Sequence, residues 1–364
     1  MTERVLHYFA GGNTARGFYS LYEYNLADLK KLYILKSGPG TGKSTLMKNI
    51  GQYYDDQGYS LQYLHCSSDN DSIDGVIINE LGVGIVDGTA PHVIEPRLPG
   101  AVGQYVNVGE AWNAESLAKQ TDTIDLLIKK IAVAFQSAYD TFAQALSVHD
   151  EWEAIYIDNM DFEKANELTV EMIDKLFGSQ TKQAIADVCH RFLGAATPIG
   201  AVDFVPNLTS GLQHRFFIKG RPGSGKSTML KKIAAQAEER GFDVEIYHCG
   251  FDPHSIDMVI VRELGFAIFD STAPHEYFPS RDGDVIIDVY ERCIRPGTDE
   301  DYSADIENVS RRYRTKMNEA TAHLARAKAL HDELEEIYVA SMDFSKIERI
   351  QENILQAIEG MKVN

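Results

Sequence analysis

Eight consecutive residues constrain this chain more than any others: Gly220-Arg221-Pro222-Gly223-Ser224-Gly225-Lys226-Ser227, which read G-x-x-x-x-G-K-S. The run before them, Phe216-Phe217-Ile218, is apolar and suits a buried strand. After them Met229, Leu230, Ile233, Ala234 and Ala237 recur at helical spacing as far as Arg240. Strand, glycine loop and helix form the context in which this pattern cradles a phosphate. The glycines let the backbone fold tightly enough to aim successive N–H groups at one anion, and the helix N-terminus adds partial positive charge. On this reading Gly220, Gly223, Ser224, Gly225, Lys226, Ser227 and Thr228 form the cradle and the first helical turn. Lys226 reaches the β- and γ-phosphates of a nucleotide, and the Ser227 hydroxyl ligates Mg.

A second version stands earlier in the chain, Ser37-Gly38-Pro39-Gly40-Thr41-Gly42-Lys43-Ser44, after the apolar run Leu32-Tyr33-Ile34-Leu35. Ser37 occupies the place of the first glycine. Gly38, Gly40, Thr41, Gly42, Lys43, Ser44 and Thr45 would form this cradle, with Ser44 on Mg. Lys43 and Lys226 are 183 positions apart, and the same offset aligns much else without a gap. His7, Phe9, Gly11, Thr14 and Gly17 match His190, Phe192, Gly194, Thr197 and Gly200. His65-Cys66 matches His248-Cys249, and Thr89-Ala90-Pro91-His92 matches Thr272-Ala273-Pro274-His275. Further on, at an offset of 182, His149-Asp150-Glu151 matches His331-Asp332-Glu333. The chain therefore reads as two homologous domains, 1–181 and 182–364, each of ordinary domain size.

At 364 residues the chain can bury two cores. Its net charge is −19, and both halves carry more acidic than basic residues. That argues against broad nucleic-acid binding or an anionic-membrane surface, which need a basic face. Met1 to Phe9 is short and mixed, so no secretory leader is expected, and there is no apolar run of membrane-spanning length. The four cysteines show no C-x-x-C spacing. Together these features predict a cytoplasmic protein with reduced thiols.

Apolar strands alternating with helices predict an α/β fold, a parallel sheet covered by helices in each domain. The expected strands are Val5 to Ala10, Phe18 to Tyr24, Ser60 to His65, Asp243 to His248, Val83 to Val86 and Phe266 to Phe269. Gly11 to Thr14 reads as a turn, and Ile73 to Leu81 as a short helix. The strands ending in Asp87 and Asp270 place a carboxylate beside each cradle, where it would serve Mg. The next residue is Gly88 or Ser271, so the acid that many motor ATPases carry there is missing. His92 and His275, in the shared Thr-Ala-Pro-His stretch, suit a γ-phosphate sensor, a water-positioning group or a general base; the alternative is a packing histidine. Asp69 and Asp252, just beyond the His-Cys pairs, occupy the acceptor-pocket position of a small-molecule kinase.

Long helical stripes follow. Ile124, Ile128, Ile131, Phe135, Ala138, Phe142 and Leu146 recur at steps of three and four in the first copy. Ile306, Val309, Tyr313, Met317, Ala320, Leu324, Ala327, His331, Leu334 and Tyr338 do so in the second. With Asp161 and Asp343 as N-caps of shorter return helices, each domain is expected to carry a helical hairpin, at about 113–178 and 300–361. Lys129-Lys130 and Arg311-Arg312 lie at matching places on the long helices. They are either solvated faces or basic fingers closing on phosphate.

These motifs place the chain in resemblance to the P-loop NTPase superfamily. The paired loops, the His-Cys-x-x-Asp stretch and the Asp-[Gly/Ser]-Thr-Ala-Pro-His stretch together resemble a poorly characterised family of tandem P-loop ATPases found mainly in Firmicute bacteria. The resemblance covers both halves and implies binding and hydrolysis of ATP. Three functions are compatible with it. One is a Mg-dependent ATPase acting as a switch or regulatory machine on an unknown protein partner or small-molecule substrate. The others are a small-molecule kinase and a nucleotide-binding structural protein with little turnover. In each, the two halves can act as an intramolecular pseudo-dimer that binds ATP and ADP.

Overall fold

The computed structural model describes residues 4–362. The first half runs β1 (Val5–Tyr8), β2 (Gly11–Thr14), β3 (Gly17–Ser20), α1 (Tyr22–Leu26), β4 (Lys31–Lys36), α2 (Lys43–Asp55), β5 (Leu61–His65), β6 (Ile73–Ile78), β7 (Val83–Asp87), β8 (Gly103–Asn107), α3 (Ala114–Ala118), α4 (Thr121–Ile157) and α5 (Phe162–Phe177). The second half follows with β9 (Val188–Phe192), β10 (Gly194–Thr197), β11 (Gly200–Asp203), α6 (Val205–Thr209), β12 (His214–Lys219), α7 (Lys226–Glu239), β13 (Val244–His248) and β14 (Ile256–Val261). It ends with β15 (Phe266–Asp270), β16 (Asp284–Asp288), α8 (Val289–Cys293), α9 (Thr298–Asp301), α10 (Ser303–Val339) and α11 (Phe344–Met361).

Both halves build a six-stranded sheet in the same order, β1-β5-β6-β7-β4-β8 and β9-β13-β14-β15-β12-β16. The sheets are mixed rather than wholly parallel. β6 and β14 run antiparallel to both neighbours. The expected helix at Ile73–Leu81 is strand β6, all six of its residues buried. Both faces of that strand are covered, so its apolar run lacks the period-2 alternation that marks a strand, and periodicity alone does not distinguish it from a short helix. Its Ile and Val content favours the strand. Gly11–Thr14 is also a strand, not a turn. It belongs to a small antiparallel sheet, β11-β10-β2-β3, which joins the halves through Asn13 and Ala196. The expected strand at Phe18–Tyr24 divides into β3 and α1 at Ser20.

The long helices depart furthest from expectation. Each is 37 residues, about 55 Å at ~1.5 Å per residue. Neither folds back on its own half as a hairpin. α4 and α10 pair with each other along an alanine-rich seam. Leu127 and Ala134 cluster with Ala327, Leu330 and Leu334, while Ala138 and Phe142 cluster with Ala320 and Leu324. The reversed order makes the pair antiparallel. Ile128, read as part of the stripe, is half exposed, and Leu127 takes its place. The Asp161 and Asp343 side chains do cap the return helices, accepting from the backbone N–H of Lys164 and Ser345.

Those return helices are exchanged. Leu168, Met172, Leu176 and Phe177 of α5 share a core with Phe216, Ile218 and Met229 of the second half. Ile347, Ile350, Ile354 and Ile358 of α11 share one with Tyr33, Leu35 and Leu46 of the first. Each sheet is therefore covered by the other half's C-terminal helix. A third core, containing Tyr8, Leu32, Phe217 and Tyr247, joins the sheets directly. No helix among the described residues is long and apolar enough to cross a membrane.

Candidate functional site

Both glycine loops lie between a central strand and the N-terminus of a helix, β4 to α2 and β12 to α7. Gly40, Gly42, Gly223 and Gly225 have positive φ, between 63° and 86°, the left-handed region that costs glycine least. The helices begin at Lys43 and Lys226 with no side-chain cap, leaving first-turn N–H groups facing the loop. Ser37 fits its position without strain: its hydroxyl hydrogen-bonds the Thr41 hydroxyl at 2.6 Å. At the equivalent Gly220, an added Cβ would lie 2.6 Å from the Ser224 hydroxyl as that side chain is placed.

Lys43 and Lys226 are buried and fold back along their loops. Lys43 Nζ donates to Gly38 O at 2.6 Å, and Lys226 Nζ to Arg221 O at 2.8 Å. Each also lies 3.5 Å from the strand-end carboxylate, Asp87 or Asp270. Sequence reasoning missed what orients those carboxylates. Thr272 donates to Asp270 Oδ1 from its backbone N at 3.0 Å and its hydroxyl at 2.6 Å, which leaves Oδ2 toward Lys226. Thr89 does the same for Asp87. Ser44 Oγ and Ser227 Oγ accept from Ile73 N and Ile256 N at 3.0 and 2.9 Å, each keeping a further lone pair. A serine hydroxyl and a carboxylate at each loop make an all-oxygen donor set, which fits a hard cation such as Mg. Thr45 and Thr228 are exposed in the first helical turn.

The two histidines are held differently. His92 Nε2 lies 3.3 Å from Asp74, its Nδ1 lies 3.3 Å from Tyr22 Oη, and Tyr22 donates to Asp74 at 2.8 Å. Cys66 completes this buried group. Both nitrogens of His92 are thus engaged beneath the site. His275 Nδ1 bonds Asp203 at 2.8 Å. Burial opposes its charging, but the hydrogen bond and charge of Asp203 outweigh that and raise its pKa. Asp69 and Asp252 are drawn into ion pairs between the halves, Asp69 with Lys328 at 3.5 Å and Asp252 with Arg16 at 2.9 Å. Arg312 pairs with Glu151 on the exposed side of the paired helices, and neither it nor Arg311 lines the cavity at the second loop. Lys129, with Asp125, is exposed as well.

That cavity, about 880 Å³, is lined by Lys226, Ser227, Thr228, Asp252, Asp270 and His275 from the second half. Its opposite wall comes from the first half: His149, Trp152, Glu153 and Met160. The volume is within the usual range of small-molecule pockets, roughly 300–1,000 Å³. Burial lowers the pKa of His149. At the first loop the wall is the matching end of α10. Glu335 Oε1 accepts from Gly40 N at 3.2 Å, and Tyr338 packs on Gly38. The repeated His-Asp-Glu at 149–151 and 331–333 was visible in the sequence as a match, but nothing in one dimension showed that each copy faces the other half's loop. Compared with protein-family models, with curated proteins and with solved structures, the chain gave no match.

Proposed function

We propose that the chain is an ATP-binding, Mg-dependent ATP hydrolase with two phosphate-loop sites, in which nucleotide state is read out by the paired long helices. The observation that carries the reading is the lysine of each loop, set between a loop carbonyl and a threonine-oriented carboxylate at a helix N-terminus. Phosphoryl transfer needs charge neutralisation and positioning more than covalent chemistry from the protein. Lys226 and the first-turn N–H groups would hold the phosphates. Ser227 and Asp270 would hold Mg, which neutralises developing phosphate charge when bound. Lys43, Ser44 and Asp87 repeat the set. Because each loop lies against the other half's long helix, occupancy of a cradle acts directly on the α4–α10 pair, as a switch requires. The kinase alternative is weakened by the ion pairs that hold Asp69 and Asp252. Phosphate release from ATP and Mg, measured with and without a panel of metabolites, tests the choice. Release without a metabolite supports the hydrolase. ADP formed only with a metabolite, and without free phosphate, supports a kinase.

A further inference from the structure

The strand-end aspartates lack a following acid, since Gly88 and Ser271 stand there. Two of the other carboxylates lining the second cavity are committed, Asp252 to Arg16 and Asp270 to Thr272 and Lys226. Glu153 instead enters from the first half. An added Cβ on Gly223 would lie 2.5 Å from the Glu153 carbonyl, so the other half's helix lies directly on the phosphate loop. At the first loop, Gly40 meets the Glu335 carbonyl at 2.9 Å in the same way. There the Glu335 carboxylate accepts from Gly40 N, a loop amide otherwise available to a phosphate oxygen. A histidine one turn earlier lies near each acid, His149 at 3.7 Å from Glu153 and His331 at 3.6 Å from Glu335. The same pair thus reaches both loops, each time from the other half.

We infer that Glu153 and Glu335 are catalytic carboxylates supplied across the halves: Glu335 to the loop bearing Lys43, Glu153 to the loop bearing Lys226. The inference rests on the ATP-hydrolase reading above. In the step they serve, a water oxygen bonds to the γ-phosphorus as the bond to the β–γ bridging oxygen breaks. The bridging electron pair leaves with ADP, the water proton passes to the carboxylate, and inorganic phosphate is the second product. Replacing such a proton acceptor costs on the order of 10²- to 10⁴-fold in rate.

The test uses the full chain, ATP with Mg, phosphate release as the rate and a fluorescent ATP analogue for affinity. Glu153→Gln with Glu335→Gln should lower turnover at least about a hundredfold while affinity stays within about threefold. The crossed pairing is tested by combination. In a Lys43→Ala chain, only the Lys226 site works, so adding Glu153→Gln should abolish the remaining turnover and adding Glu335→Gln should cost nothing more. The reverse pattern overturns the assignment across the halves. Wild-type turnover in the double glutamine variant overturns the inference and leaves the hydrolase reading intact, as would faster turnover with tighter binding, the signature of an inhibitory latch. A wild-type chain that binds ATP but releases no phosphate overturns both.

Discussion

Asp257 shows how much the individual residues beneath the site depend on their surroundings. Its burial, with the charge of Asp270 nearby, raises its pKa to about 6. A carboxyl with a raised folded pKa contributes stability that is complete below its unfolded value, about 4, and is lost as pH rises through the folded one. Asp257→Asn removes that ionisation. Measured by denaturant unfolding without nucleotide or metal, its stability relative to wild type should rise by roughly 1–3 kcal/mol between pH 5 and pH 8. An offset that does not change with pH would contradict this account. The chain's two tryptophans give a second residue-scale test. Trp152 lines the second cavity, and the Trp112 ring would lie 3.4 Å from a Cβ on Gly38 of the first loop. ATP should therefore change tryptophan emission, and Trp152→Phe should remove the part that Lys226→Ala also removes. An unchanged titration in Trp152→Phe would place that signal elsewhere. Both lysines and both serines were legible in sequence because a loop of fixed length sets their spacing, and both aspartates because each ends an apolar strand. The threonines that orient Asp87 and Asp270 were legible only as part of a motif without a role.

Among the elements, the α4–α10 pair carries the architecture. Phe142 is fully buried against Ala320 and Leu324 from the opposite helix. Phe142→Ala should destabilise the chain by about 3–5 kcal/mol, the usual range for a large aromatic in a packed core. Equilibrium unfolding checks this, and a loss below about 1 kcal/mol would mean that the seam is not a packed core. The stripes predicted both helices, and α10 spans Ser303–Val339 as its periodicity suggested. They did not identify the partner. An apolar seam states only that something covers it, and a short return helix beginning at a capped Asp161 or Asp343 made a local hairpin the natural reading. The actual partner lies about 180 residues away in sequence, and no local signal encodes that choice. β6 failed for a related reason: a strand buried on both faces loses the alternation that identifies it.

For the whole molecule, exchanged helices mean that neither half is complete alone. A first half ending at Thr181 would leave the core around Tyr33 and Leu35 without Ile347, Ile350 and Ile354. Expressed as two chains, 1–181 and 182–364, the halves should purify together through high salt, since the shared contacts are apolar and only weakly screened. A tagged first half that folds alone as a soluble monomer would contradict the exchange. The same crossing gives each glycine loop a wall from the other half, which makes two composite candidate sites rather than two separate ones. The central claim is that both are nucleotide sites. Calorimetric titration of the chain with ATP and Mg should give two sites, with Lys226→Ala leaving one, Lys43→Ala leaving the other and the double variant none. A wild-type stoichiometry of one, or binding that survives in the double variant, would contradict it.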